Sequence, residues 1–257
     1  MPNLCIVGAM GRMGQNVGVL AENFGFTVSG ALEFKGSPAV GKSFGGVTVT
    51  DDIDDALKSA DVVIEFALAD GIVERAAAYA AHKVPAVIGT TAVAEEGRNA
   101  LAEASKTIPV IHAANFSLGV NLLGELLKKA SAVLGPEYDA EIVEMHHHNK
   151  KDAPSGTALY LARMLEEGRG VGKEKEIYGR YGNVGARPVG EIAIHSLRGG
   201  DVVGDHTVIF AAEGERIEFV HKASSRANFA MGALRAAKYL IGKEPGLYTM
   251  ADVIGLK

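Results

Sequence analysis

The stretch that decides the fold is Leu4-Cys5-Ile6-Val7 followed by Gly8-Ala9-Met10-Gly11-Arg12-Met13-Gly14. A short apolar strand that ends in spaced glycines and enters a helix is the arrangement that holds a pyrophosphate at a helix N-terminus. The first glycine permits a tight turn, Gly11 lets a phosphate approach the backbone, and Gly14 lets helix and strand pack closely. Residues 8–13 are therefore predicted to contact a dinucleotide, and the alternative of ordinary turn glycines is disfavoured by this context.

The residues after the glycines complete a strand–turn–helix–strand unit. Five apolar side chains fall on one helical face: Met13, Val17, Leu20, Ala21 and Phe24. A second strand follows at 26–29, and Glu33 stands nineteen residues past Gly14, where a carboxylate can accept hydrogen bonds from the adenosine ribose. Because Arg12 and Lys35 are near enough in sequence to attract a 2′-phosphate, both NADH and NADPH are expected as cofactors.

Strands and helices alternate through the first 116 residues. The predicted strands are 4–7, 26–29, 62–64, 86–88 and 110–111. Helix-length segments between them predict a Rossmann-like, doubly wound parallel sheet of the α/β class. Two polar segments follow the last two strands, Gly89-Thr90-Thr91 and Ala113-Ala114-Asn115-Phe116. Since ligands bind beyond the carboxyl ends of such strands, we expect both segments to contact the nicotinamide half, with plain turn and cap residues as the alternative.

The pattern changes after residue 117. A helix carrying five apolar residues precedes a strand at 140–143, a glycine-rich loop covers 168–190, and strands follow at 191–197, 205–212 and 215–222. The last two strands flank the hairpin turn Glu213-Gly214. This half is predicted to be a second α+β domain containing a mostly antiparallel or mixed sheet.

A final helix is predicted over residues 228–241, and we expect it to return to the first domain. The predicted domains are therefore 1–117 plus 226–257 for dinucleotide binding, and 118–225 for substrate binding.

Composition excludes several classes of protein. The 257 residues include 26 Lys and Arg against 31 Asp and Glu, and the net charge of −5 argues against nucleic-acid binding. An apolar content of 47% suits a full core. Cys5 is the only cysteine and is predicted to be a small buried hydrophobe. With no signal-peptide pattern and no membrane-length apolar run, we expect a cytoplasmic protein without a membrane partner.

The most informative segment runs Glu144-Met145-His146-His147-His148-Asn149-Lys150-Lys151-Asp152-Ala153-Pro154-Ser155-Gly156-Thr157. Histidine titrates near neutrality, and the lysines add positive potential for an anionic substrate, so His146 and Lys150 are candidate proton-transfer groups. Ser155 is predicted to cap a helix whose first amides, those of Gly156 and Thr157, bind a carboxylate.

A metal site is the competing interpretation of this segment. Adjacent histidines on an extended chain point to opposite faces, and no cysteine assists them, so no metal is expected. The other alternative is a solvated polar loop without function, which is more serious for His148, Asn149 and Lys151 than for His146 and Lys150.

These motifs resemble those of the 4-hydroxy-tetrahydrodipicolinate reductase family, also called dihydrodipicolinate reductases. The likeness rests on the glycine turn at 8–14, on 89–91 and 114–117, and above all on Glu144-x-His146-His147-x-x-Lys150-x-Asp152-Ala153-Pro154-Ser155-Gly156-Thr157-Ala158. It continues through Arg198-Gly199-Gly200, Gly204-Asp205-His206 and Ser225-Arg226-x-x-Phe229-Ala230-x-Gly232-Ala233, and so runs the whole length. The resemblance implies reduction of a cyclic imine dicarboxylate by a reduced nicotinamide, its hydroxyl leaving as water, in diaminopimelate and lysine biosynthesis.

The resemblance also implies roles for individual residues. His146 corresponds to the acid–base residue, Lys150 to its proton-donating partner, His147 to a substrate-binding histidine, and Gly156-Thr157 to the amides that hold a substrate carboxylate. The family's cofactor contacts fall on the positions already predicted. Family members are typically homotetramers built through the second domain's sheet, and a hinge between the domains is implied. Phe34 departs from NADPH-using relatives that carry arginine there, which leaves 2′-phosphate recognition to Arg12 and Lys35.

Two alternatives remain at this point. The same fold serves dehydrogenases and reductases of other small imino or amino acids, which substrate profiling separates. A non-catalytic nicotinamide-sensing protein is the other class, but it would not need His146, Lys150 and Gly156-Thr157 together.

Overall fold

The computed structural model describes residues 1–256 and divides into two compact units, 1–118 with 226–255 and 119–225. The first unit contains β1 (Asn3–Val7), α1 (Arg12–Ala21), β2 (Thr27–Leu32), β3 (Ser43–Phe44), β4 (Val47–Thr50), α2 (Ile53–Leu57), β5 (Val62–Glu65), α3 (Ile72–His82), β6 (Ala86–Ile88), α4 (Glu95–Ala104), β7 (Pro109–His112), α7 (Ala227–Leu240), β13 (Gly246–Tyr248) and α8 (Met250–Val253). The second contains nearly all of α5 (Leu118–Leu134), then β8 (Asp139–His146), α6 (Gly156–Arg169), β9 (Glu176–Tyr178), β10 (Ile192–Arg198), β11 (Gly204–Ala212) and β12 (Glu215–Ala223).

The first unit is built on an eight-stranded sheet in the order β13-β7-β6-β5-β1-β2-β4-β3. Every neighbouring pair is parallel except β3 with β4. The chain starts in the middle at β1, runs outward through β2 and β4, and then continues on the other side from β5. The strand order therefore reverses beside β1, which is where dinucleotides bind in doubly wound sheets.

Both faces of this sheet are buried, as the uniformly apolar strands require. On β1, Leu4 and Ile6 pack into one core with α1 and α7, whereas Cys5 and Val7 pack into the other with α2, α3 and α4. Cys5 is fully buried, as predicted, and burial raises the pKa of its thiol to about 12. The thiol is therefore neutral and shielded from reagents.

The second unit has a five-stranded mixed sheet in the order β12-β11-β8-β10-β9. β11 is antiparallel to β8 and β12, whereas β10 is parallel to β8 and β9 because α6 connects the strands as a crossover. β8 alternates between half-buried and buried residues, since only one of its faces packs against helices. The expected fold class is confirmed.

Four strands lie outside the sequence predictions: β3, β4, β9 and β13. Three of them have only two or three residues, which is too short to show a periodic pattern. None of the helices in residues 1–256 combines the length and apolarity needed to cross a membrane.

Candidate active site

The glycine turn is shaped by close backbone approach. Gly8 has a φ of +74°, and a Cβ there would lie 2.4 Å from the carbonyl oxygen of Phe66. A Cβ at Gly14 would lie 2.2 Å from the carbonyl oxygen of Gly8. Helix α1 then begins after Gly11, an extended N-cap without a side-chain hydrogen bond. Its first-turn amides are thus left to an external acceptor, which fits the pyrophosphate of a dinucleotide.

Glu33 lies at the end of β2, beside this turn. Its Oε1 accepts a hydrogen bond of 2.8 Å from the amide of Met10, so the carboxylate is anchored to the turn while its other oxygen is available to a ribose. Arg12 and Lys35 are exposed, and Phe34 is 64% exposed next to them. The structure thus places both cations in solvent, where a 2′-phosphate can reach them.

Behind the Gly89–Thr91 segment lies a buried charge network centred on Glu65, which is 0% exposed. Its carboxylate accepts two hydrogen bonds of 3.0 Å from Arg75, one of 2.5 Å from the Tyr79 hydroxyl and one of 2.6 Å from the Thr90 hydroxyl. The Thr90 hydroxyl is therefore engaged inside the protein. Only the backbone of Thr90 is therefore left for the predicted contact with the cofactor. Thr91, by contrast, is exposed.

The segment 113–116 follows β7. Asn115 accepts a 2.8 Å hydrogen bond from the amide of Ser117, and the Phe116 ring is buried edge-to-face against Phe66. Ala113 is half-buried and Ala114 exposed. Phe116 therefore serves the core with its side chain, which leaves only its backbone for the predicted cofactor contact.

In the second unit, the predicted histidine–lysine loop leaves β8 and packs against the turn between β10 and β11. The amide of His147 donates to Val202 at 2.7 Å, and that of His148 donates to Gly200 at 3.2 Å. Ser155 is the predicted N-cap of α6, and its Oγ accepts from the amide of Ala158 at 3.1 Å. The cap binds the amide of the third residue of α6, and the first residue of the helix, Gly156, stays exposed.

His146 is only 8% exposed and lies within a dense hydrogen-bond network. Its Nδ1 lies 2.5 Å from Oε2 of Glu144, and its ring meets the His206 ring edge-to-face at 5.2 Å. Burial lowers the pKa of His146, with Glu144 opposing and the charge of Lys150 adding to the effect. The imidazole is therefore neutral near pH 7.

Lys150, one-fifth exposed, forms a 2.9 Å ion pair with Asp152. The hydrogen bond from Lys150 lowers the pKa of the Asp152 carboxyl. Since Asp152 itself is 61% exposed, the pair can open toward an anionic ligand at little cost. His148, Asn149 and Lys151, to which no role was assigned, are exposed.

One cluster in the described chain has the spacing of a metal site. Glu144, His146 and His206 each present a possible ligand atom within 4.8 Å of the others. Both oxygens of Glu144, however, already accept hydrogen bonds from Arg198, at 2.9 and 3.0 Å. A cation there would lie beside a guanidinium, and the set does not fit a metal.

Sequence reasoning assigned no role to Glu65, Glu144, Arg198 or His206, although each is hydrogen-bonded next to a predicted site residue. A signal was present for Glu65, because it ends a strand whose other residues are all apolar. Strand β8 carries further acidic residues, so Glu144 does not stand out there. Charged residues are rarely fully buried without a partner. A buried strand carboxylate thus predicts a nearby donor, but not which one.

Comparison with known proteins gives a consistent result. The family described as dihydrodipicolinate reductase, N-terminus, matches residues 2–116, and the family described as dihydrodipicolinate reductase, C-terminus, matches 119–254. The chain is 48% identical over 267 residues to the 4-hydroxy-tetrahydrodipicolinate reductase of Anaeromyxobacter dehalogenans strain 2CP-C, covering 100% of this chain and 99% of the relative. It is 47% identical to that of Thiobacillus denitrificans strain ATCC 25259 / T1, with coverages of 99% and 98%.

Among solved structures, the chain is similar to a dipicolinate-bound dihydrodipicolinate reductase from Paenisporosarcina sp. TG-14. The TM-score is 0.80 at 25% identity, with 99% of each chain covered. Both family profiles, the full-length relatives and this structure agree with the resemblance read from the motifs. The chain therefore belongs to the dihydrodipicolinate reductase family.

Proposed function

We propose that this protein catalyses the NAD(P)H-dependent reduction of 4-hydroxy-tetrahydrodipicolinate to tetrahydrodipicolinate with loss of water, in the diaminopimelate route to lysine. The observation that carries the proposal is the loop from His146 to Thr157, which combines a neutral buried histidine, a lysine and a capped helix start. The identity to relatives of that name over the full chain supports the same substrate.

The substrate is a dianion, and the loop supplies complementary charge. The helix start at Gly156 and Thr157 is proposed to bind one carboxylate, because first-turn amides and the helix dipole favour an anion. Lys150 faces the substrate as a cation, in competition with Asp152. His147, half-buried and fixed through its backbone amide, is proposed as a further substrate contact.

The reaction consumes one hydride and one proton, and one oxygen leaves as water. When bound, the reduced nicotinamide supplies the hydride. His146 and Lys150 are proposed to manage the proton: Lys150 donates from its ammonium group, and His146 accepts and returns a proton at its ring. The chain's own contribution to the reaction is to hold His146 and Lys150 in place against the bound substrate ring.

The proposed cofactor contacts are residues 8–13, 89–91 and 113–116, with Glu33 at the ribose. The uncapped start of α1 fits the pyrophosphate, and the close approach at Gly14 packs that helix against the glycine turn. Because Glu33 favours a free ribose hydroxyl while Arg12 and Lys35 favour a phosphate, NADH and NADPH are both proposed as cofactors. A preference of several hundredfold in KM for either cofactor would contradict dual use.

The decisive assay follows nicotinamide absorbance when the purified chain meets NADH or NADPH and freshly generated 4-hydroxy-tetrahydrodipicolinate. We expect rapid, substrate-dependent loss of absorbance. Lys150→Ala is expected to lower kcat by about 10²-fold while NADH binding is retained. Lys151→Ala is the matched control, because its exposed side chain is expected to contribute nothing. No turnover by a folded, NADH-binding wild-type chain would refute the proposal.

We further propose that the enzyme is a cytoplasmic homotetramer assembled through the second unit's sheet. The face of this sheet opposite the helices carries Leu197 and Val220, which are 46% and 51% exposed. Light scattering is expected to give the mass of four chains. Val220→Lys is expected to lower that mass, whereas Val133→Lys on α5 is expected to leave it unchanged. A wild-type monomer would contradict the assembly.

A further inference from the structure

Glu144 is a fully buried carboxylate that receives hydrogen bonds from three parts of the second unit. On β8, Nδ1 of His146 lies 2.5 Å from Oε2. From β10, Arg198 donates to both oxygens, and at the start of α6 the amide of Ser155 donates to Oε1 at 3.2 Å. Burial raises the pKa of Glu144, but the hydrogen bonds from Arg198 and His146 outweigh it and lower the pKa. The group is therefore a carboxylate near neutral pH.

An ionised carboxylate only accepts hydrogen bonds, and this determines the tautomer of His146. A neutral imidazole carries one N–H, so the bond to Glu144 requires the proton on Nδ1. Nε2 is then the unprotonated nitrogen, and it makes no hydrogen bond within residues 1–256. An imidazole held in this way can take up a proton only at Nε2.

The ring of His146 is also confined sterically. A Cβ at position 204 would lie 3.0 Å from Nε2, so the glycine there makes room for the ring. His206 packs against the other part of the ring, and its own Nε2 lies 3.1 Å from Oγ of Ser155. Rotation of the imidazole away from Glu144 is thus opposed by β11.

The same network fixes the loop that precedes α6. Arg198 donates to the carbonyl of Asp152 at 2.6 Å while it binds Glu144, and Glu144 accepts from the amide of Ser155. The next residue, Gly156, begins the helix. One carboxylate therefore connects the imidazole to the helix start that is proposed to bind the substrate.

We propose that Glu144, supported by Arg198, is a positioning residue for the reduction: it holds His146 with Nε2 open for proton transfer and fixes the carboxylate-binding start of α6. This inference rests on the proposed function. Arg198 neutralises Glu144 and ties it to the loop, so the two act as one unit. Neither residue touches the substrate in this scheme.

The first test uses the wild-type chain. Long-range ¹H–¹⁵N spectra of ¹⁵N-histidine-labelled protein at mildly alkaline pH report which ring nitrogen carries the proton. The chain has 8 histidines, and the signals of His146 are identified by their loss in His146→Gln. We expect the Nδ1–H tautomer, whereas an Nε2–H tautomer would overturn the proposal. This result does not depend on whether the proposed substrate is the right one.

The second test is kinetic and compares two glutamates on β8. Glu144→Gln is expected to lower kcat by about 10²-fold, with NADH binding retained. Glu141→Gln is the matched control, because Glu141 also binds a histidine, His195, and arginines, but on the other face of the strand. Its kcat is expected to stay close to wild type. Equal losses in the two variants would overturn the proposal.

The pH profile separates positioning from a merely structural role. The charged and titratable groups around His146 are Glu144, Lys150, Arg198 and His206. Removing the negative charge of Glu144 removes the group that raises the pKa of His146, so the limb of the pH–rate profile due to His146 should move to lower pH. Glu144→Asp keeps the charge and should leave that limb close to its wild-type position. If the His146 limb of the pH–rate profile does not move in Glu144→Gln, the inference is overturned. If that variant does not fold, the ¹H–¹⁵N spectrum of the wild-type chain tests the inference.

Discussion

The buried Thr90–Glu65 hydrogen bond allows a stability prediction with a built-in control. Thr90→Val keeps the shape of the side chain but removes the hydroxyl that donates to Oε1 of Glu65 at 2.6 Å. Glu65 still accepts from Arg75 and Tyr79, so its charge remains paired. The loss is therefore that of one hydrogen bond to a charged group, about 2 kcal/mol, and not that of an uncompensated buried charge.

For a unit of this size, a loss of about 2 kcal/mol corresponds to a decrease in Tm of roughly 4 to 8 °C. Thr91→Val is the control: Thr91 is the next residue, is exposed, and should change stability by less than about 0.5 kcal/mol. Calorimetry or circular dichroism, with and without NADH, measures the Tm of both variants. Equal and small shifts for the two variants would refute the role of Glu65 in holding the Gly89–Thr91 segment.

Three further predictions follow from packing and charge. Gly232→Ala should lower the free energy of unfolding by about 2 kcal/mol or more, because the new Cβ would lie 1.7 Å from the carbonyl oxygen of Phe116; a rise in Tm would contradict this. Burial raises the pKa of Glu141, but hydrogen bonds from Arg180, His195 and Arg187 outweigh it and lower that pKa to about 2. The contribution of the Glu141 carboxylate to stability is therefore complete above its ordinary pKa and is lost as pH falls toward 2. Acid unfolding should accordingly be less pH-dependent over that range in Glu141→Gln. Native Cys5 should resist alkylation until the chain unfolds, and mass spectrometry after iodoacetamide treatment checks this; rapid labelling of the native protein would disprove its burial.

Local patterns predicted the parts of the site that depend on neighbouring residues. The turn from Gly8 to Gly14 and the cap at Ser155 could be recognised because a few adjacent residues determine a helix start. Glu33 could be placed because its distance along the chain from the glycines is set by one helix and one strand.

Pairing between distant segments could not be predicted in the same way. The strand over Ile192–Arg198 was recognisable, but its parallel pairing with β8 depends on the crossover through α6. The partner that neutralises Glu144 is 54 residues away, and the hydroxyl that binds Glu65 is 25 residues away. Neither separation leaves a periodic signal in a single sequence.

The order of segments along the chain affects how the protein is made. Helix α7 supplies much of one core of the first unit, through Ala230, Ala233, Leu234, Ala236, Ala237 and Leu240. These residues emerge from the ribosome only after the whole of 119–225 has been synthesised. The β-sheet of residues 1–112 must therefore wait with one apolar face covered only in part, by α1, while the second unit can fold as soon as its own strands appear. Emergence of residues 226–255, rather than completion of the nucleotide turn at residues 8–14, is the event that closes the first unit during translation.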